Sequence, residues 1–223
     1  MTQTINGEGV GSAAPPRPEY RTFGANTYLL RTDEGTLLVD SGLAGTREKV
    51  FRWAREAGAG ALFLTHHHPD HAGGARHLWR ALGLPIYAHA LDLPYLTGET
   101  PPPPLSLPVV GRLLTFRVPP VPRAAVQTLA EGDTLMGWQV VHLPGHTPGQ
   151  IGLWREGVLI AADSVGSRRG QAVTAPAFLS ADAEQATRTL RKIADLAPRE
   201  VYVGHGPVTT GESVRALADR LGV

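Results

Sequence analysis

Six consecutive residues, His66-His67-His68-Pro69-Asp70-His71, limit what this chain can fold into more than any other part of it. They follow the apolar run Ala61 to Leu64, which with Thr65 reads as a buried strand. Alternate side chains of an extended backbone point the same way, so His66 and His68 face one side together while His67 faces the other. Pro69 stops the strand, and Asp70 is then placed to cap a helix running from about Asp70 to Leu82. That helix start projects Asp70 and His71 into the space the two histidines already face, so four side chains of metal-ligand type converge.

Further candidates stand at the ends of other predicted strands. His146 lies in Pro144-Gly145-His146-Thr147-Pro148-Gly149, a turn sharp enough to present one imidazole inward. Asp163 follows the apolar run Val158 to Ala162, where an ionised carboxylate is costly unless it is paired or bound to a metal. His205, flanked by Gly204 and Gly206, comes directly after Val201-Tyr202-Val203. The other four histidines are set aside: His67, His77 and His142 read as packing or surface residues, and His89 only borders the site. Asp40, at another strand end, reads as a carboxylate that orients a ligand rather than binding metal itself.

The elements that carry these residues alternate. Asn26 to Arg31 and Thr36 to Asp40 are strands joined by the turn signal Asp33-Glu34-Gly35. Thr46 to Ala57 reads as a helix stopped by Gly58, and Pro85 to Ala88 as a short strand. Gln139 to Leu143, Ile151 to Trp154, Val158 to Ala162 and Glu200 to Val203 complete the strands. Ala183 to Leu196 is an amphipathic helix with Asp182 and Gln185 set to cap it, and Val214, Leu217, Ala218 and Leu221 mark a last helix. Eight of the 19 prolines fall between Gly98 and Arg123, which reads as a stiff extended loop, a surface excursion or a flap over the site.

Composition narrows the chemistry. The chain has no Cys, which excludes thiol nucleophiles, disulfides and Cys-ligated metals, and leaves nitrogen and oxygen donors. A formal charge of +1 gives no global electrostatic case for nucleic acid or an acidic membrane. Met1 to Pro18 is rich in Gly, Ala and Pro, with neither a basic n-region nor a long apolar run, and reads as a flexible segment ahead of one domain spanning 19–223. The expectation is a cytoplasmic protein acting on a small molecule, with no nucleic-acid or membrane partner; a homodimer is left open.

At these residues the sequence resembles the metallo-β-lactamase fold superfamily, and within it the glyoxalase II-like group. His66, His68, Asp70 and His71 match the HxHxDH motif, and His146, Asp163 and His205 follow in the family's order. Asp40-Ser41-Gly42, Glu131-Gly132-Asp133 and the PGHTPG turn support the match. The resemblance implies a four-layer αββα sandwich with the site at one edge between two sheets. It implies two divalent ions, zinc first with manganese or iron as alternatives. One would be held by His66, His68 and His146 and the other by Asp70, His71 and His205, with Asp163 bridging.

Two such ions lower the pKa of a shared water towards about 7 and supply hydroxide to attack an ester-like carbonyl, with Asp70 as the catalytic carboxylate beside it. The expected activity is hydrolysis of a small thioester or lactone. The alternatives are a mononuclear-iron sulfur dioxygenase acting on persulfides and a phosphodiesterase. Only 18 residues follow His205, too few for the helical domain with which glyoxalase II grips glutathione, so glutathione specificity is not expected. Substrate-binding residues are not assigned; the segments 98–123 and 165–179 are where specificity is expected to be set.

Overall fold

Three separate apolar clusters define the architecture. The computed structural model describes residues 17–101 and 118–223. In the first part of the chain β1 (Glu19–Thr22), β2 (Asn26–Thr32), β3 (Gly35–Val39), β4 (Ala59–Phe63), β5 (Ile86–His89) and β6 (Val126–Leu129) form a six-stranded sheet in sequence order. A second sheet has the order β13-β10-β9-β8-β7, built from β7 (Thr134–Leu135), β8 (Trp138–His142), β9 (Ile151–Arg155), β10 (Val158–Ala162) and β13 (Glu200–Val203). Between β10 and β13 in sequence, β11 (Gly166–Arg168) and β12 (Gln171–Val173) make a separate hairpin.

Neighbouring strand residues enter different clusters, as a period of two requires when both faces of a sheet are covered. Leu38 and Leu62 of the first sheet pack with Val50, Trp53 and Leu78 from α1 (Arg47–Glu56) and α3 (Ala75–Leu82). Leu37, Val39 and Phe63, on the opposite face, meet Val140, Leu153 and Ile160 of the second sheet. Val141, Leu159 and Val201 then pack outward on Leu190, Ile193, Val214 and Leu217, from α5 (Ala183–Asp195) and α6 (Gly211–Leu221). Helix, sheet, sheet, helix is the four-layer αββα sandwich expected. Trp138 is the bulkiest fully buried side chain and sits in the middle cluster, where its replacement by Ala would cost about 3–5 kcal/mol.

Strand direction brings the candidate residues to one edge. β3, β4 and β5 run parallel, so Asp40 and the His66–His68 segment emerge on the same side. In the second sheet β10 and β13 are parallel, which delivers Asp163 and His205 together. The sheets are tied at this edge by Asn26, whose backbone N–H donates to Gly204 O (2.8 Å) and whose side chain donates to Val203 O (2.9 Å) and Gly206 O (2.8 Å). Ile151 N–H donates to Thr65 O (2.9 Å), a second tie between the sheets.

Several sequence expectations need correction. The helix expected over Asp70–Leu82 is two helices, α2 (Pro69–Ala72) and α3, because Gly74 N–H turns to Gly42 O (3.2 Å) and Ser41 Oγ (3.1 Å) instead of continuing the ladder. Asp70 is not the cap: His68 occupies that position without a side-chain cap bond, and Asp70 lies in the first turn, free to face His205. Strand β4 ends at Phe63, so His66–His68 belong to the irregular segment after it. Pro85 precedes β5, and β1, β6, β7 and the β11–β12 hairpin carried no pattern that sequence reasoning separated from loop. The cap on α5 is found, with Gln185 N–H donating to Asp182 Oδ1 at 2.8 Å. The expectations for Met1–Pro18 and for the 98–123 loop fall largely outside the described residues. Of the latter, Val121 is buried in the outer cluster of the first sheet and its N–H donates to Leu96 O in α4 (Leu93–Thr97).

Candidate metal centre

All seven candidate residues meet at the sheet edge. His66, His68 and His146 form one group of donors, Asp70, His71 and His205 another, and His66, His71 and Asp163 a third that links them. Within each group the donor atoms lie within 4.8 Å of one another. His68 Nδ1 and His146 Nε2 are 2.9 Å apart; two nitrogens on one tetrahedral zinc, each about 2.0–2.1 Å from it, stand roughly 3.3 Å apart. His205 Nε2 is 3.1 Å from Asp70 Oδ2. Asp163 reaches both halves: Oδ1 is 3.3 Å from His71 Nε2, and Oδ2 is 3.4 Å from both His146 Nε2 and His205 Nε2.

The fit to a metal rests on buried atoms left without partners. His66 Nε2 is buried with no hydrogen-bond partner, and His71 Nε2 and Asp163 Oδ1, buried beside it, face each other at 3.3 Å without forming a hydrogen bond. Each such atom costs about 1–3 kcal/mol unless something else satisfies it, and all three point into one space. The donor set, five imidazoles and two carboxylates, is suited to zinc, manganese or iron.

One buried carboxylate fixes the rings in both halves. Asp40 is 1% exposed, and its Oδ2 is 2.7 Å from His71 Nδ1, which turns Nε2 toward the site. Thr65 Oγ1 donates to the same carboxylate at 2.9 Å and lies 3.1 Å from His66 Nδ1, so the His66 ring is held through one hydroxyl. Asp40 has φ 64° and Ala162, just before Asp163, has φ 45°, backbone values that side-chain-bearing residues adopt at a cost. Both strand ends are bent where they deliver a carboxylate to the site. Gly204 is needed for close approach: a Cβ there would lie 1.8 Å from Asp163 Oδ1 and 2.8 Å from His71 Cε1.

The charges divide between the halves. Burial pushes the pKa of His66 well below its ordinary value and that of His68 down to about 3, and lowers that of His146, so these rings are neutral. His205 is raised to about 9 by its hydrogen bonds to Asp163 and Asp70. Burial opposes charge on His71, but Asp163 and Asp40 outweigh it and hold the ring protonated. Burial likewise works against the Asp70 carboxylate, and the His205 hydrogen bond overcomes it, lowering Asp70 to about 2.

The histidines set aside have partners outside the seven candidates. His77 Nε2 pairs with Glu48 (3.2 Å) on the outer helices, and His89 stacks on His142 at 4.4 Å between centroids. Glu131 belongs to the outer face, pairing with Lys192 at 2.9 Å, and Asp133 Oδ2 accepts from Ala130 N–H (2.8 Å); neither touches the donors. Arg168 and Arg169 are exposed on the β11–β12 hairpin. Sequence reasoning missed Asp92. It is fully buried and accepts from His67 N–H (2.9 Å), Thr147 Oγ1 (2.9 Å) and Gly149 N–H (2.8 Å). Its signal was faint, an Asp in an otherwise apolar Leu91-Asp92-Leu93.

With this geometry in place, the comparisons agree on the class. The metallo-beta-lactamase superfamily model matches residues 20–205, and the chain belongs to that superfamily. It is 30% identical to the probable metallo-hydrolase YflN of Bacillus subtilis, over 88% of each chain. It is 32% identical to the hydroxyacylglutathione hydrolase of Bdellovibrio bacteriovorus over 60% of this chain and 45% of that one. Among solved structures, TTHA1623 in a di-iron-bound form shares 33% identity with a TM-score of 0.69, covering 90% of this chain and 97% of that one. Among the described residues no helix is long and apolar enough to cross a membrane.

Proposed function

We propose that the protein is a dinuclear metal-dependent hydrolase that cleaves a small thioester or lactone. The observation that carries this reading is Asp163, whose two oxygens face His71 on one side and His146 and His205 on the other, amid buried donors that lack any other partner. His66, His68 and His146 would hold one divalent ion, Asp70, His71 and His205 the other, and Asp163 both. When bound, such a pair of ions supplies hydroxide at neutral pH and polarises a carbonyl oxygen. The likeness to TTHA1623, solved with two irons, supports a two-ion site and keeps iron beside zinc and manganese as the metal.

The carboxylates favour one leaving group. Asp70, lowered to about 2, and Asp163, held well below the carboxylate range by His71 against the effect of burial, are ionised acceptors at neutral pH. Asp70 is the more open of the two and can orient the attacking water by accepting its hydrogen bond. An ionised acceptor is a poor proton donor at the start of the reaction. A thiolate, with an ordinary pKa of about 8.5, leaves without one, whereas the far more basic alkoxide of a lactone needs a proton that neither ionised carboxylate holds. Thioesters therefore rank ahead of lactones, in keeping with the partial likeness to hydroxyacylglutathione hydrolase.

The test is a panel of thioesters, lactones and phosphodiesters assayed on protein loaded in turn with zinc, manganese and iron. Thioester turnover that falls at least about 100-fold in Asp70→Asn is expected. Turnover of phosphodiesters alone would replace the substrate class. Protein with one iron that consumes oxygen with a persulfide would make it a sulfur dioxygenase.

A further inference from the structure

Asp92 stands on an element that carries none of the seven candidate donors, yet among the described residues its side-chain hydrogen bonds all run to the two loops that do. His67, between His66 and His68, donates its backbone N–H to Oδ2 at 2.9 Å, and its ring Nδ1 lies 2.9 Å from the same oxygen. Thr147, directly after His146, donates its hydroxyl to Oδ2 at 2.9 Å, and Gly149 donates its N–H to Oδ1 at 2.8 Å. A Cβ at Gly149 would fall 2.5 Å from Asp92 Oδ1 and 2.6 Å from Asp92 N, so the His146 loop is pressed directly against this residue.

Local structure does not account for the carboxylate. Asp92 occupies the N-cap position of α4, where Asp ordinarily accepts a hydrogen bond from the first turn, but it makes no such bond here. The side chain turns away from its own helix to meet the two loops. Helix α4 also closes the other face of His67, with the Tyr95 ring stacked on it at 4.3 Å and 24°. His67 is thereby fixed from both sides by residues of one short element, and the ligand candidates on either side of it inherit that fixation. No hydrogen bond runs from Asp92 to Asp70, His71 or His205.

We propose that Asp92 is a positioning residue that locks the His66–His68 segment and the His146 turn in register, and so sets affinity for the ion held by His66, His68 and His146. This rests on the two-ion reading of the site. Removing the carboxylate leaves three donors from two loops without a common acceptor, and the loops then move independently under the three imidazoles. The other half keeps Asp40, Asn26 and Asp163 as its supports and is unaffected.

The test measures metal affinity, not turnover. Wild-type, Asp92→Asn, Thr147→Val and Thr210→Ala proteins, stripped with chelator and shown folded by thermal melting, are titrated with Co²⁺ and with Zn²⁺ in competition with a chromophoric chelator. The visible spectrum of the Co²⁺ protein reports the coordination of each equivalent. Asn keeps one acceptor oxygen and sets an amide N–H₂ against the remaining donors, so Asp92→Asn weakens one of the two equivalents by about 10- to 100-fold and changes its spectrum, leaving the other within twofold. Thr147→Val, which loses one of the three bonds and keeps the side-chain shape, gives a smaller loss at the same equivalent. Thr210→Ala removes the cap of α6, where Thr210 accepts from Ser213 N–H, and leaves both affinities within twofold while lowering the melting temperature. Equal weakening at both equivalents, or at neither, overturns the assignment to Asp92 alone. Wild-type protein that takes up no divalent ion overturns the two-ion reading and this assignment with it.

Discussion

His66, His68 and His146 come from two loops that face each other across the seam between the sheets, and all three rings are buried and neutral or only partly exposed. Asp70, His71 and His205 are a mixed set, with the His205 side chain 51% exposed and Asp70 28% exposed. Their imidazoles carry protons that the neighbouring carboxylates stabilise. The first half is a largely buried nitrogen cluster that presents lone pairs ready for a cation. The second is a charged, more open cluster that must give up protons before it can receive one. An ion in the first half should therefore bind tighter and exchange more slowly, while the second half meets solvent and substrate.

The largest effect that separates the halves comes from deleting a donor on each side. His68→Ala removes one of three neutral donors from the enclosed pocket, and activity should fall by more than the roughly 10- to 100-fold seen when an outer hydrogen-bond partner is lost. Elemental analysis of the purified variant should show the tightly held equivalent missing. His205→Ala should retain that equivalent and lose the other. If both variants lose the same equivalent, the division into a tight and a loose half is wrong.

Asp40 offers the opposite experiment because it touches both halves, His71 directly and His66 through Thr65. Asp40→Asn keeps the volume and removes the charge and one acceptor, so both equivalents should weaken together, each by about 10- to 100-fold. A loss confined to one equivalent would show that the Thr65 hydroxyl link to His66 carries no weight.

A third contrast is in pH. His205, at about 9, and His71, held protonated by Asp163 and Asp40, each carry a proton at neutrality that a cation must displace, so the looser equivalent should gain up to about 100-fold in affinity per unit as pH rises from about 6 towards 9. His68, at about 3, is already deprotonated over that range, and the tighter equivalent should be nearly flat. Isothermal titration in two buffers of different ionisation enthalpy counts the protons released with each ion.

The convergence of the seven candidate residues was legible in the sequence because they stand after strands, most of them marked by an abrupt break: Pro69 after the histidine run, glycines around His205, the PGHTPG turn at His146. The two main sheets were legible through apolar runs such as Val158–Ala162. What was not legible depends on contacts distant in the chain. Among the described residues β6 pairs with β5 alone, across the proline-rich segment, and β7 is two residues long, so neither carries a period of its own. The break between α2 and α3 is made by Ser41 and Gly42, some 30 residues earlier. Asp92 was missed for the same reason, since its partners His67, Thr147 and Gly149 lie 25 to 57 residues away.

The smallest effect concerns protein stripped of metal, where the halves should respond to pH with opposite sign. The unfolded chain protonates His68 near 6.5 while the folded chain keeps it neutral until about 3, so its contribution to stability is lost as pH falls from 6.5 towards 3. His205 is the reverse case. Its folded value of about 9 lies above 6.5, so the stability it adds is fully present below 6.5 and is lost as pH rises through 9. Melting temperature against pH should peak between the two windows, with the alkaline limb the shallower because water screens the half-exposed His205 pair. His205→Ala should flatten that limb and leave the acid limb in place. An acid limb that flattens instead would mean that the open cluster, not the enclosed pocket, governs the acid response.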